Sequence, residues 1–98
     1  MIKHIVLFSF KPDVSQKIIE EADNLFKALP RLINEIQDFE AGINISPENL
    51  NKGFTHAYCL SFSAEGTRDV YLEHKDHKVF SGYVGDLLED VLVIDYEI

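Results

Sequence analysis

The chain opens on IKHIVLFSF, a run rich in β-branched and aromatic residues that stops at Lys11-Pro12-Asp13, and this predicts a strand closed by a turn. The apolar period then lengthens. Ile18, Ala22, Leu25 and Leu29, widened by Ile19 and Phe26, form the stripe of an amphipathic helix with Asp13 or Ser15 as its cap and an end near Pro30. After a turn-like RLINEI, the segment from Gln37 to Ile45 alternates Phe39, Ala41, Ile43 and Ile45 and closes on Ser46-Pro47, which predicts a second strand. The polar stretch PENLNKG carries turn chemistry and leads into FTHAYCLSF, a third strand, so the two form a hairpin with a long loop. From Ala64 the pattern is helical again. Val70 and Leu72 flank Tyr71, and Val79, Phe80, Tyr83, Leu87 and Leu88 follow, interrupted by Gly82 and Gly85, so two short helices are expected to meet around residues 74–76. VLVIDYEI predicts a fourth strand.

Strand, helix, strand, strand, helices, strand is the order of a split βαβ domain. The expected fold class is therefore α+β and ferredoxin-like, with a four-stranded antiparallel sheet, helices on one of its faces, and residues 1–98 forming one domain. Period-two sorting places Ile2, His4, Val6, Phe8 and Phe10 on one face of the first strand and Lys3, Ile5, Leu7 and Ser9 on the other. In the third strand, Phe54, His56, Tyr58, Leu60 and Phe62 oppose Thr55, Ala57, Cys59 and Ser61. In the fourth, Val91, Val93 and Asp95 oppose Leu92, Ile94 and Tyr96. Both faces thus carry apolar side chains, and the helices can cover only one. A face meant to stay wet would be polar, and each large residue left exposed forgoes roughly 1.5–3 kcal/mol of burial. A second copy presenting the same Ile5, Leu7, Cys59, Leu92, Ile94 face is the economical cover, which makes the chain its own partner in a two-fold homodimer.

Composition narrows the function classes. With 17 acidic against 9 basic residues and a net charge of -8, nucleic acid and anionic membranes are not expected partners. Cys59 is the only cysteine, so no internal disulfide forms, and its strand context makes it a small hydrophobe. Lys3 and His4 interrupt the start of the chain, and the apolar run after them is too short for a signal segment or a membrane span, so a cytoplasmic location is expected.

The candidate chemistry lies in the histidines. His4 and His56 share a strand face with Val6, Phe8, Tyr58 and Asp95, and His74 and His77 lie three apart on the helical segment, so all four could converge under the helices. A histidine buried there must find a partner or change its protonation, which leaves His4 and His56 as either paired core residues or pocket walls. Tyr71 and His77, six apart across a bend, offer a phenol to polarise a carbonyl and an imidazole to move a proton. His74 and His77 lack a patterned carboxylate or cysteine beside them, so no metal site is expected. Dinucleotide, P-loop, zincin and α/β-hydrolase motifs are absent from the sequence.

Four segments in order, KHIVLFSFK, GFTHAYCLSF, YLEHKDHKVF and DVLVIDYE, resemble the stress-responsive dimeric α/β-barrel (Dabb) family across essentially the whole chain, and Tyr-x-x-His-x-x-His is the most specific piece. The resemblance implies a ferredoxin-like protomer whose sheet joins that of a second copy in a dimeric α/β barrel. One plant member of the family performs an aldol-type cyclisation of a polyketide thioester with a tyrosine and a histidine. Their matching positions here are Tyr71 and His77, and two strand histidines of that member match His4 and His56. Val6, Phe8, Tyr58, Leu88, Val91, Val93 and Asp95 fall on positions of its pocket, and Phe26 lies near where it admits an alkyl chain. Leu88 matches a tryptophan of that pocket, and Tyr58 is bulkier than the aliphatic residue of the pattern, so a smaller or differently shaped cavity is expected. The resemblance implies no cofactor. It leaves open a cyclase- or lyase-like enzyme acting on a small carbonyl or aromatic compound, a non-catalytic binding or stress-protection protein, and a cofactor-free monooxygenase-like barrel.

Overall fold

A computed structural model describes residues 1–98. The elements run β1 (Ile2–Phe10), α1 (Gln16–Leu32), β2 (Asp38–Ile43), β3 (His56–Phe62), α2 (Glu65–Glu73), α3 (Lys75–Gly85) and β4 (Leu88–Glu97). The strands pair antiparallel in the order β2-β3-β1-β4, which is the ferredoxin-like α+β fold expected from the element order. Each crossover skips one strand, and the shared right-handedness of such connections brings all three helices onto the same side of the sheet.

The register fixes that side. His4 pairs with Leu60 and Asp95, Val6 with Tyr58 and Val93, and Phe8 with His56 and Val91, so these residues form the helix-covered face. The core there joins Ile2, Val6, Phe8, Tyr58, Leu60 and Phe62 of the sheet to Ala22, Phe26, Leu29, Tyr71, Phe80 and Val84 of the helices. Ser15 caps α1, accepting a hydrogen bond from the Ile18 amide at 3.3 Å. The inward stripe is Ala22, Phe26, Leu29 and Ile33, rotated from the sequence expectation so that Leu25 is half exposed. The helix also continues through Pro30 to Leu32. Proline removes one amide in the last turn, but Leu29 and Ile33 are buried on either side of it and the Ile33 amide closes on the Leu29 carbonyl.

No helix lies over the opposite face. Ile5, Leu7 and Cys59 are partly covered there by their neighbours, while Leu92, Ile94 and Tyr96 are 39%, 55% and 50% exposed. The β2–β3 connection bends toward one end of this face and borders a groove of about 450 Å³ lined by Leu7, Leu92, Ile43, Leu50 and Phe54 among others. Strand β2 stops at Ile43, shorter than its alternation predicted, and Ile45 is 93% exposed in the connection. The turn back into β3 uses left-handed backbone at Asn49, Lys52 and Gly53. No helix is long and apolar enough to cross a membrane.

Candidate active site

The helix-covered side of the sheet is not filled completely. Between β1, β4 and the α2–α3 pair lies a cavity of about 280 Å³ lined by 14 residues, 10 of them hydrophobic. That is the share of liquid volume taken by about nine waters, and it sits near the lower end of small-molecule pockets. His4, Val6 and Phe8 form its floor, with Phe26, Leu72, Phe80 and Val84 as walls. Leu88, Val91 and Val93 complete it on the β4 side, where Val91 and Val93 are 48% and 51% exposed, so the mouth opens along that edge.

Besides Ser81, three polar side chains line this largely apolar space, and each is held by a different element. Helix α2 supplies Tyr71, which is 1% exposed and whose hydroxyl has no partner within the chain. His77, on the first turns of α3, stacks obliquely on Tyr71 at 4.5 Å between ring centres. Its Nδ1 lies 3.1 Å from the Leu72 carbonyl, which can only accept, so Nδ1 carries the proton and the neutral ring keeps its lone pair on Nε2. His4, from β1, places Nδ1 2.6 Å from the Asp95 carboxylate, with its ring edge-on to Tyr71 and Phe62. No buried side-chain nitrogen or oxygen in the chain is unpaired. The Tyr71 hydroxyl and the Nε2 atoms of His4 and His77, unbonded within the chain, therefore keep accessible surface, and all three residues line the cavity.

Burial holds two of these groups neutral. It lowers the His77 pKa, an effect the hydrogen bond to Leu72 only partly offsets, and it pushes the Tyr71 phenol well above its ordinary value. A neutral imidazole with a free lone pair beside a neutral phenol can accept a proton while the phenol donates a hydrogen bond to a carbonyl oxygen.

The sequence-predicted residues divide into three groups. His4, Val6, Phe8, Phe26, Tyr71, His77, Leu88, Val91 and Val93 meet at the cavity. Asp95 does not line it but holds His4. His56 and Tyr58 lie elsewhere, although both face the helices as their alternation predicted. His56 sits opposite Phe8, four residues along β1 from His4 or about 13 Å at strand rise, bonded to the Thr55 hydroxyl at 2.8 Å and edge-on to Phe10. Tyr58 is stacked on Phe26 at 4.2 Å and donates its hydroxyl to Asp23 at 2.6 Å, where Lys27 also bonds. The four histidines do not converge: His74 caps α3, its Nδ1 accepting from the Asp76 amide at 3.1 Å. No three His, Cys, Asp or Glu residues are grouped to hold a metal ion.

Leu72, Phe80, Ser81, Val84 and Gly85 also line the cavity and were not singled out from the sequence. Their signal was present in the spacing of His77, Phe80, Ser81 and Val84 at i, i+3, i+4 and i+7. It was masked by Val79 and Tyr83, which continue the apolar run but point outward at 73% and 37% exposure.

Known proteins resemble this chain in sequence and in fold. The model of the stress responsive A/B barrel domain matches residues 2–98. The stress-response A/B barrel domain-containing protein HS1 of Arabidopsis thaliana is 36% identical over 96 residues, covering 98% of this chain and 88% of that protein. Olivetolic acid cyclase of Cannabis sativa is 25% identical over 95 residues, covering 97% and 94%. Among solved structures, the hydroxynitrile lyase of Passiflora edulis superposes with a TM-score of 0.93 at 25% identity, covering 99% of this chain and 92% of that one. A dimeric protein of ferredoxin-like fold from Bacteroides fragilis superposes with a TM-score of 0.79 at 28% identity, covering 99% and 95%.

Proposed function

The chain belongs to the stress responsive A/B barrel domain family, and from that premise we propose that it works as a homodimer whose protomers each bind a small, mostly apolar carbonyl-bearing or aromatic molecule and process it without a cofactor. The observation that carries this reading is the trio of unbonded polar atoms, Tyr71 hydroxyl and the Nε2 atoms of His77 and His4, on residues that line a largely apolar cavity. In it His77 takes a proton at Nε2 as general base, and Tyr71 donates a hydrogen bond to the oxyanion that develops as the carbonyl reacts. Val6, Phe8, Phe26, Leu88, Val91 and Val93 supply the apolar contact that holds the substrate and excludes water. Asp95 acts through His4, and His56 and Tyr58 serve the core rather than the substrate. The cyclase and the hydroxynitrile lyase among the similar proteins support a cyclase- or lyase-like reaction. The dimeric relative and the uncovered outer sheet face support self-association.

A ligand that enters the cavity raises the melting temperature by mass action. Thermal-shift screening with small aromatic carbonyl compounds, benzaldehyde and acetophenone among them, should find stabilisers of the wild-type protein that a cavity-filling Val84→Phe variant no longer responds to. Once a compound that is turned over is in hand, Tyr71→Phe with His77→Ala should abolish turnover while leaving binding measurable. Binding and turnover both unchanged in that double variant would retire the catalytic assignment. The 4.5 Å stack of Tyr71 on His77 favours a second reading, a binding or stress-protection protein in which the pair secures α2 and α3. That reading expects stabilising ligands and no turnover of any of them.

A further inference from the structure

Helix α2 presents two residues to the sheet at a spacing of three. Tyr71 enters the cavity, and Arg68, one turn earlier, reaches the edge strand β4. There Arg68 Nη1 donates to Asp95 Oδ2 at 2.6 Å, while Asp95 Oδ1 accepts from His4 Nδ1 at 2.6 Å. The guanidinium is itself fixed, its Nε donating to Asp69 at 2.8 Å and Nη2 lying 3.9 Å from Glu65. The arginine and aspartate side chains are 19% and 23% exposed, so the pair lies at the surface and is held by its hydrogen-bond geometry.

We propose that Arg68 is a positioning residue: by pinning one oxygen of Asp95 it aims the other at Nδ1 of His4 and so presents the lone pair on Nε2 of His4 to the cavity as a second proton-transfer group beside His77. The inference rests on the cavity being the functional site. A carboxylate accepts and cannot donate, so the neutral imidazole opposite it keeps its proton on Nδ1. When Nε2 takes up a second proton, Nδ1–H stays on Asp95, and the imidazolium is paired with a carboxylate inside the fold instead of standing alone. His77 has only a neutral carbonyl behind it. The two imidazoles are therefore unequal: both offer Nε2 to the same space, but only His4 has a counter-charge built in, and that counter-charge is held in place from α2. The arrangement gives the site a proton acceptor on each side of a bound carbonyl compound, as needed for a reaction that removes a proton at one atom and returns one at another.

Long-range proton–nitrogen correlation spectra of the histidine rings, recorded well above the ordinary histidine range, read the tautomers directly and need no ligand. In the wild-type protein His4 and His77 should both carry the proton on Nδ1. In Arg68→Met the two ring-nitrogen shifts of His4 should move toward a common average as the tautomers mix, those of His77 staying in place as an internal control of the fold, and Arg68→Lys should restore part of the difference. Asp95→Leu should release His4 fully. A wild-type His4 protonated on Nε2, or a His4 pattern untouched in Arg68→Met, overturns the proposal. A failed ligand screen with the predicted tautomers in place would instead count against the functional reading of the cavity.

Discussion

Burial moves His77 and Tyr71 in opposite directions on the titration scale and to the same end, since it disfavours the charged form of each. The same burial lowers His56, with the nearby Asp23 partly opposing it. For a histidine whose folded pKa lies below the unfolded 6.5, the unfolded chain binds more protons in the window between the two values. Stability is then complete above 6.5 and falls as pH drops through that window, levelling off below the folded pKa. Melting temperature followed by circular dichroism should accordingly decline from neutral pH toward pH 5, and a His56→Gln, His77→Gln variant should show a shallower decline. An equally steep wild-type and variant profile would assign the pH response to other groups. Tyr58 gives a second prediction at this scale. Burial would raise the pKa of Asp23, yet the hydrogen bonds from Lys27 and Tyr58 prevail and lower it. Tyr58→Phe removes one donor to a carboxylate, so denaturant titration should show a loss of roughly 1.5–3 kcal/mol, and the Asp23 pKa measured by NMR should rise toward 3.8.

Among the elements, the β2–β3 connection depends on one residue more than its polar composition suggests. Gly53 has φ +85°, a conformation L side chains adopt rarely, and a Cβ added there would lie 3.2 Å from the Ser9 hydroxyl. Gly53→Ala should cost about 1–2 kcal/mol from the backbone alone, visible as a lower denaturation midpoint, whereas Gly66→Ala, in α2 with open space around the added carbon, should not destabilise. Helix α1 illustrates the reverse relation between sequence and structure. Pro30 is a strong local stop signal, but Leu29 and Ile33 are fully buried beside it, and tertiary anchoring carries the helix past it. The α2–α3 junction was legible to within a residue because the break has a local cause: His74 turns the chain and caps the next helix with its own ring.

For the whole molecule, the open question of the sheet's second face becomes a mass measurement. Light scattering on the wild-type chain should give twice the 11.2 kDa of one protomer. Replacing Leu92 and Ile94 with aspartate should shift it toward the single-chain mass, because like charges would then face each other across a two-fold interface. A wild-type mass of 11.2 kDa at micromolar concentration would exclude the homodimer.

The sequence by itself determined the element order, the ferredoxin-like class and the sorting of each strand into two faces, since period two and period 3.6 are set by backbone geometry and read directly from hydrophobic positions. Three of the residues it singled out, Tyr71, His77 and His4, line one cavity in the structure. What it could not decide was which residues on a shared face meet. His4 and His56 follow the same alternation, yet antiparallel register sets them about 13 Å apart along the sheet, and Val79 is as apolar as Phe80 but points outward. Nor did any local pattern connect Arg68 on α2 to Asp95 on β4, 27 positions away. Only the crossover from β3 through the helices to the far side of β1 brings those two side chains together, because contacts between distant segments are fixed by topology and register rather than by the residues beside them in the chain.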